Sequence, residues 1–297
     1  MYFVGIDAGG TKTDFLLCDE NENQIKKVTL GGGNPNDIGI DACISLLSQG
    51  LDELCADIVP DGVFAGVSGG GYGENAKKIN EFLRTRFPAS RVANGTDVLN
   101  IIYCSKSKGN VGALICGTGN VFFLRIGDEL IRFGGWGHLF DNGGSGYDIG
   151  RDAIRFMLEA EQASSPLLSS SLYTLLREKL GASALESLSS IYSKGSQTKS
   201  YIASFAPLVF EAYERGDLAA ASIINNNIAA IVSVIRTAIS RVGSEGVNRI
   251  DEIICAGGLF NSSIFYSLLS NELDIPLSIL SVPPVLGACR LAIRFGS

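Results

Sequence analysis

Two stretches of the chain, about a hundred residues apart, share one pattern of apolar and polar positions. The first is Val4-Gly-Ile-Asp-Ala-Gly-Gly-Thr-Lys-Thr-Asp-Phe-Leu-Leu-Cys-Asp19. The second is Gly112-Ala-Leu-Ile-Cys-Gly-Thr-Gly-Asn-Val-Phe-Phe-Leu-Arg-Ile-Gly-Asp128. Each reads as an apolar strand, a Gly/Thr turn, a second apolar strand and an acidic turn. Glycines at such turns are expected to supply φ > 0 and to let backbone N–H groups approach a ligand closely. Clustered N–H groups with a Thr hydroxyl form a concavity suited to phosphate oxygens. The duplication therefore predicts two domains that close on one polyphosphate.

The rest of the pattern predicts an α/β chain. Residues 2–30 read as three antiparallel strands, joined at Gly9-Gly10 and Glu20-Asn-Glu-Asn23, and a helix is expected from about Asp37 to Gln49. Val63–Val67 is an unbroken apolar strand running into Ser68-Gly-Gly-Gly71. Ile79, Phe82, Leu83 and Phe87 then mark one face of a helix. Arg91-Val-Ala is a short strand leading through Asn94-Gly-Thr-Asp97 to another helix, and a second strand set begins near Val111. After Gly150 the pattern turns helical through residue 243. Its clearest helix carries Ile224, Ile228, Ile231, Ile235, Ile239 and Val242, with Gly243 placed to end it. Ile253-Ile-Cys255 is a strand ending in Ala256-Gly-Gly-Leu259, Leu277–Leu280 is the last strand, and Val282-Pro-Pro284 breaks the chain before a final helix.

Composition narrows the function. At 297 residues the chain accommodates two cores, and its 46% hydrophobic and 19% charged content is that of a globular protein. The 36 glycines cluster at a few turns without a collagen-like period, which points to backbone-lined ligand sites. A net charge of −7 argues against nucleic acid and anionic membranes as partners, while leaving phosphate to backbone amides. The seven cysteines lack any C-x-x-C pair, so they read as free thiols of a reducing compartment. No leader-like segment opens the chain and no apolar run approaches the ~18 residues of a membrane span, so the cytoplasm is expected.

Asp7 lies on the first strand just before the turn, where a carboxylate beside phosphates suits Mg²⁺ or its waters; capping the turn is its alternative role. Lys12 reads either as a phosphate contact or as a solvated strand lysine. Thr96 and Asp97 sit where a helix N-cap belongs. Short polar side chains on glycine-rich loops are candidates for gripping a polyhydroxylated ligand: Asn34, Ser68, Asn120, Asp141 and Asn142. Trp136, the only tryptophan, is either an apolar wall for that ligand or a core or interface aromatic. His138, the only histidine, reads as a loop residue hydrogen-bonded to backbone.

Asp7-Ala-Gly-Gly-Thr-Lys-Thr13, Val67-Ser-Gly-Gly70, Thr96-Asp97, Gly117-Thr-Gly119, Gly134-Gly-Trp-Gly-His138 and Ala256-Gly-Gly258 follow one another in the order of a known family. In these residues the chain resembles, essentially end to end, the N-acetylglucosamine kinase-type members of the BadF/BadG/BcrA/BcrD ATPase family. The resemblance implies the actin–hexokinase–chaperone fold, two ribonuclease-H-like α/β domains with a cleft between them. Residues 1–112 with 285–297 would form the N-terminal domain and 113–284 the C-terminal domain with its helical insert. It also implies ATP and Mg²⁺ as cofactors, an amino sugar as acceptor and a homodimer. Gly9, Gly10, Thr11, Lys12, Thr13, Gly117, Thr118 and Gly119 would bind the phosphates, and Gly257 and Gly258 would lie against adenosine. Asp97 would accept the proton of the attacking sugar hydroxyl, a role compatible with capping by Thr96.

One departure bears on the substrate. The family usually reads Gly-Asp-Glu-Gly-Ser where this chain has Asp141-Asn-Gly-Gly-Ser145. Its sugar-binding Asp then falls on Asn142 and its Glu on Gly143, with Asp141 one residue away as a substitute. Three other readings compete. An ATPase activator of acyl-CoA chemistry would need paired cysteines for an iron–sulfur cluster; Cys104 and Cys116 do not make that pattern. A repressor–kinase would need a helix-turn-helix extension. A non-catalytic nucleotide sensor is suggested by the altered 141–143 segment alone.

Overall fold

Residues 1–164, 166–242 and 249–296 are described by the computed structural model. They divide into two compact units, Met1–Lys108 with Leu280–Ser297 and Gly109–Ile279. Unit 1 contains β1 (Tyr2–Ala8), β2 (Lys12–Asp19), β3 (Gln24–Gly31), α1 (Pro35–Ile38), α2 (Ile40–Cys55), β4 (Gly62–Val67), α3 (Gly73–Arg86), β5 (Arg91–Gly95) and α4 (Val98–Ile102). Unit 2 contains β6 (Asn110–Cys116), β7 (Asn120–Ile126), β8 (Glu129–Phe133), α5 (Gly146–Gln162), α6 (Ser171–Leu180), α7 (Ala184–Tyr192), α8 (Thr198–Ala203), α9 (Ala206–Glu214), α10 (Leu218–Val242), β9 (Ile250–Ala256), α11 (Ser263–Asn271) and β10 (Leu277–Ile279). The last helix, α12 (Pro284–Gly296), returns to unit 1.

Both units are built on one sheet plan. A three-strand antiparallel meander is extended, beyond its first strand, by two parallel strands. The order is β3-β2-β1-β4-β5 in unit 1 and β8-β7-β6-β9-β10 in unit 2. The apparent repeat in the sequence is thus a repeat of the first two strands of each sheet.

In unit 1 the two-residue period of β1 serves two cores at once. Val4, Ile6 and Ala8 join Leu47, Leu51, Ile79 and Leu83 beneath α2 and α3. Phe3 faces the other way, into a cluster with Phe64, Val285, Ala288, Leu291 and Ala292. Gly5 and Asp7 share that second face, and there α12 comes so close that a Cβ on Gly5 would stand 2.4 Å from the Cys289 nitrogen. A Cβ on Gly287 of α12 would stand 1.9 Å from the Asn100 carbonyl oxygen of α4.

Three expected boundaries move. The helix expected over 37–49 is two helices, because Gly39 takes a φ of 84° and breaks the path after a turn capped by Asn34. The second runs on to Cys55, where Leu51, Leu54 and Cys55 continue the buried face. The helical region starts at Gly146 rather than after Gly150, since Ser145 and Asp148 form a reciprocal capping box. Gly243, expected to end the isoleucine helix, lies outside the described residues. That helix, α10, is long and apolar enough to cross a membrane by length and composition. Its Ile224, Ile228, Ile231 and Ile235 are instead buried in the core of unit 2.

Replacing a helical glycine by alanine ordinarily stabilises by up to about 1 kcal/mol. Gly287→Ala is expected to do the reverse, because the new methyl meets backbone that cannot yield, and overpacking costs about 1–3 kcal/mol. Urea denaturation should show a lower midpoint; a higher one would mean that α12 does not press on α4.

Candidate active site

Ligands of open α/β sheets bind beyond the carboxyl ends of parallel strands. In unit 1, β1, β4 and β5 are parallel. Near their carboxyl ends lie Asp7, Ser68 and the pair Thr96-Asp97. Asp7 faces α4, where the Asn100 amide donates to Asp7 Oδ1 at 2.7 Å. The same Nδ2 lies 3.3 Å from the Ile6 carbonyl and 3.5 Å from that of Gly66. Asn100 is fully buried, and its own Oδ1 has no hydrogen-bond partner among the described residues. An orphaned acceptor of this kind costs about 1–3 kcal/mol. Asn100 was missed in the sequence, although a lone amide inside Val98-Leu-Asn-Ile-Ile102 was its signal.

Burial pushes the Asp7 carboxyl up to about 6; the Asn100 amide opposes this, and the Asp97 and Asp14 charges add to it. Asp7 Oδ2 receives no hydrogen bond among the described residues. Asp97 is also raised, first by burial, against the hydroxyls of Thr96 and Ser68. Thr96 Oγ1 donates to Asp97 Oδ1 at 3.0 Å. The capping expected of Thr96-Asp97 is absent: α4 starts without a side-chain cap, and both side chains are turned to each other instead.

The Gly9-Gly10-Thr11 turn is closed by Gly9 N–H donating to the Lys12 carbonyl at 2.9 Å, and Gly33 N–H reaches the Gly9 carbonyl at 2.9 Å. The N–H groups of Gly10 and Thr11 make no hydrogen bond among the described residues. Lys12 pairs with Asp14 at 2.7 Å. Asp14 sits below the ordinary carboxylate range: burial raises it, but Lys12, Thr29 and Lys27 together outweigh burial. Thr13 is fully buried, and its hydroxyl is committed to the Gly31 carbonyl at 2.9 Å. Asn34 Oδ1 accepts from Asn36 N–H at 3.0 Å, capping α1.

In unit 2 the second turn is tighter, with Gly117 N–H donating to the Gly119 carbonyl at 2.8 Å. Thr118 and Gly119 N–H and the Thr118 hydroxyl have no partner among the described residues. The expected positive φ is not found: Gly9, Gly10, Gly117 and Gly119 all lie outside the left-handed region. Nor do their neighbours demand glycine, since a Cβ at any of the four would meet nothing nearer than 3.3 Å. What remains is open backbone carrying free N–H groups, a cradle that side chains would fill, and it fits phosphate. Gly257 is different, because its φ of 103° and the Cys116 carbonyl 2.3 Å from a would-be Cβ make it a requirement of the fold. Gly258 has open space around it and begins a 3₁₀ turn, Gly258–Asn261.

The 134–145 loop is braced from inside. Both Asp141 oxygens accept backbone N–H groups, from Trp136 at 3.0 Å and Gly137 at 2.9 Å, so Asp141 is not a free carboxylate. Asn120 Nδ2 donates to the Gly143 carbonyl, and Gly144 N–H donates to Asn227 Oδ1 at 2.8 Å. Asn227, unnoticed in the sequence, is the polar member of the buried face of α10. Gly143 has a φ of 130°, which a glutamate there would not tolerate without strain. Asn142 is exposed, and Trp136 is 66% exposed rather than a core aromatic. His138 packs edge-on against Tyr147, with ring centroids 5.0 Å apart, and makes no backbone hydrogen bond among the described residues.

Among the described residues no three His, Cys, Asp or Glu side chains form a metal cluster. Mg²⁺ does not need one, since it keeps several waters and takes one or two carboxylates beside substrate phosphates. The open Oδ2 of Asp7 meets that requirement.

Known proteins resemble the chain over nearly its whole length. Residues 4–289 match the model of the BadF/BadG/BcrA/BcrD ATPase family. An N-acetyl-D-glucosamine kinase of Dictyostelium discoideum is 27% identical over 317 aligned positions, covering 98% of each chain. An N-acetylmuramic acid/N-acetylglucosamine kinase of Clostridium acetobutylicum is 26% identical over 271, covering 88% of this chain and 86% of its own. A candidate N-acetylglucosamine kinase of Chromobacterium violaceum has the same fold, with a TM-score of 0.67 at 18% identity over 100% of this chain and 99% of that one.

The brace is testable. Hydrogen bonds to a charged acceptor are worth about 1.5–3 kcal/mol each, so Asp141→Ala should speed amide exchange at Trp136 and Gly137 by at least ~10-fold while global stability changes little. Unchanged protection of both amides would refute this role.

Proposed function

The chain belongs to the BadF/BadG/BcrA/BcrD ATPase family, and from that membership we propose that it is an ATP-dependent kinase phosphorylating a hydroxyl of an N-acetylated hexosamine or a close relative. The observation that carries this reading is Asp97, recessed at the carboxyl end of β5 with a raised pKa and two hydroxyls beside it. A base poised above the usual carboxylate range takes the proton of an attacking hydroxyl more readily than an ordinary aspartate. The names of the two curated relatives supply the substrate class.

In this reading the free N–H groups of Gly10, Thr11, Thr118 and Gly119 hold phosphate oxygens and fix the line of attack. Phosphoryl transfer depends on such positioning and electrostatics. Asp7, oriented by Asn100, holds Mg²⁺ or its waters through Oδ2, and the cation when bound offsets phosphate charge. Lys12, tied to Asp14, and Thr13, buried, act on the turn from behind. Gly257 and Gly258 flank the base and ribose. Asn34 and Ser68 in unit 1, and Asn120, Trp136 and Asn142 in unit 2, are the sugar contacts. Asp141 and Asn120 also shape the loop that presents Trp136. The reading includes a homodimer, which sedimentation equilibrium would detect as twice the chain mass.

The bracing of Asp141 and the backbone of Gly143 favour a second reading, a nucleotide sensor that has lost sugar chemistry. An iron–sulfur activator has less support. Burial pushes the Cys104 thiol up to about 11 and the Cys116 thiol well above its ordinary value, away from the thiolate form that ligates iron.

The deciding experiment is ADP release with Mg-ATP against N-acetylglucosamine, N-acetylmuramic acid, N-acetylmannosamine, glucosamine and glucose. Sugar-dependent turnover should fall by roughly 10²–10⁴-fold in Asp97→Asn. ATP binding without turnover on any sugar would select the sensor. Because Asp97 must be ionised to act, kcat/KM should drop as pH falls through a pKa above 3.8. The same raised pKa means that folding gains from a neutral Asp97 and loses that gain as pH rises through it. Asp97→Asn should therefore raise the melting temperature at pH 8 more than at pH 4; an equal shift at both would separate the base from the burial argument.

A further inference from the structure

We infer that Lys199 is a phosphate-binding residue of the nucleotide site, set over the Gly117-Thr118-Gly119 turn. The inference rests on nucleotide use by this family and does not depend on the acceptor sugar.

The placement follows from a chain of backbone contacts inside unit 2. The start of α5 is stitched to the turn: Gly146 N–H donates to the Gly117 carbonyl at 2.8 Å, and Tyr147 N–H to that of Thr118 at 3.3 Å. One turn further along α5, Gly150 lets α8 lie directly on the helix, since a Cβ there would stand 2.0 Å from the Ile202 carbonyl. Lys199 is the second residue of α8. Its ammonium is thereby brought over the turn, 3.3 Å from where a Cβ of Gly119 would be.

The ammonium is uncommitted. Lys199 makes no hydrogen bond or ion pair with any described residue. Lys12 at the first turn and Arg151 on α5 are by contrast paired, Lys12 with Asp14 and Arg151 with Asp148 and Asp152. Beneath Lys199 lie the free N–H groups of Thr118 and Gly119 and the free Thr118 hydroxyl. Those donors and a three-donor cation belong to one turn and its immediate neighbour, and their shared complement is an anion with several oxygens. A chain of net charge −7 repels a polyphosphate at long range, so a local positive charge at this turn has an outsized effect on binding. The residue sits in the helical region far from both glycine turns in sequence, with no motif to announce it.

Calorimetric titration of the full chain with ATP, ADP and adenosine, without sugar, tests the assignment. Lys199→Met keeps the stem and removes the charge. It should weaken ATP and ADP by about tenfold, the scale of a charge-assisted hydrogen bond, and leave adenosine unchanged. The dependence of ATP affinity on salt should also become shallower. Lys199→Arg should retain ATP affinity within about threefold. Unaltered ATP affinity in Lys199→Met would overturn the inference. So would an equal loss for adenosine, which would make Lys199 a prop for α8, and so would a wild-type chain that binds no ATP. Failure of the sugar-kinase reading is separable: it would show as tight ATP binding, a normal Lys199 effect and no phosphorylated sugar.

Discussion

Contact between two backbones, the last helix against the first strand, is the constraint on which the acidic site of unit 1 depends. A five-residue helix such as α4 cannot hold its own shape. It is held by α12, which reaches it through Gly287 and donates from Arg290 to the Cys104 carbonyl at 2.7 Å, satisfying an open helix end. Arg290 is in turn fixed by Glu22 on the β2–β3 turn, at 2.9–3.0 Å. With α4 in place, Asp97 stands at its head and Asn100 in its middle. The geometry of both carboxylates is thus set by residues far off in the chain, 190 positions beyond Asp97 and 280 beyond Asp7 in the case of Gly287.

The site is costly to keep. Asp7 and Asp97 are raised by burial, and Asn100 carries an acceptor with no partner among the described residues. A leucine at position 100 would remove the orphan but leave Asp7 unsupported. Breaking local rules at one cluster, while the surrounding core obeys them, is the mark of a place retained for function. The two glycine turns are built differently. Both turns offer neutral N–H dipoles, so an acidic chain can accept a polyanion without a basic patch.

Much of the fold was legible because its signals are local. The six longer strands, the duplicated turn and the parallel strands after it follow from apolar runs and glycine punctuation. Helix boundaries were less legible. The break at Gly39 depends on one φ value, and the start of α5 depends on a Ser145–Asp148 exchange that glycine-rich sequence conceals. The site divided along the same line. Asp7, Asp97 and the turn glycines sit in recognisable strings, although the glycines serve open access rather than unusual dihedrals. Asn100, Asn227 and Lys199 act through contacts between segments distant in sequence, which no window of residues contains. Asp141 shows the converse, an acidic loop residue whose partners are amides four and five residues behind it.

The division of unit 1 into two chain segments also has a consequence for biogenesis. During synthesis, β1–β5 emerge first but lack the helix that seats α4. Unit 2 is then made in one continuous stretch and can fold as it appears. Only when residues 280–296 follow can the first sheet be sealed, at the entropic expense of closing a very long loop that a folded unit 2 shortens. The nascent chain therefore carries an unfinished sheet, with the apolar face of Phe3, Phe64 and Leu16 uncovered, from the end of β5 at Gly95 until α12 is made from Pro284 onward. That interval is when this apolar face is most open to non-native contacts.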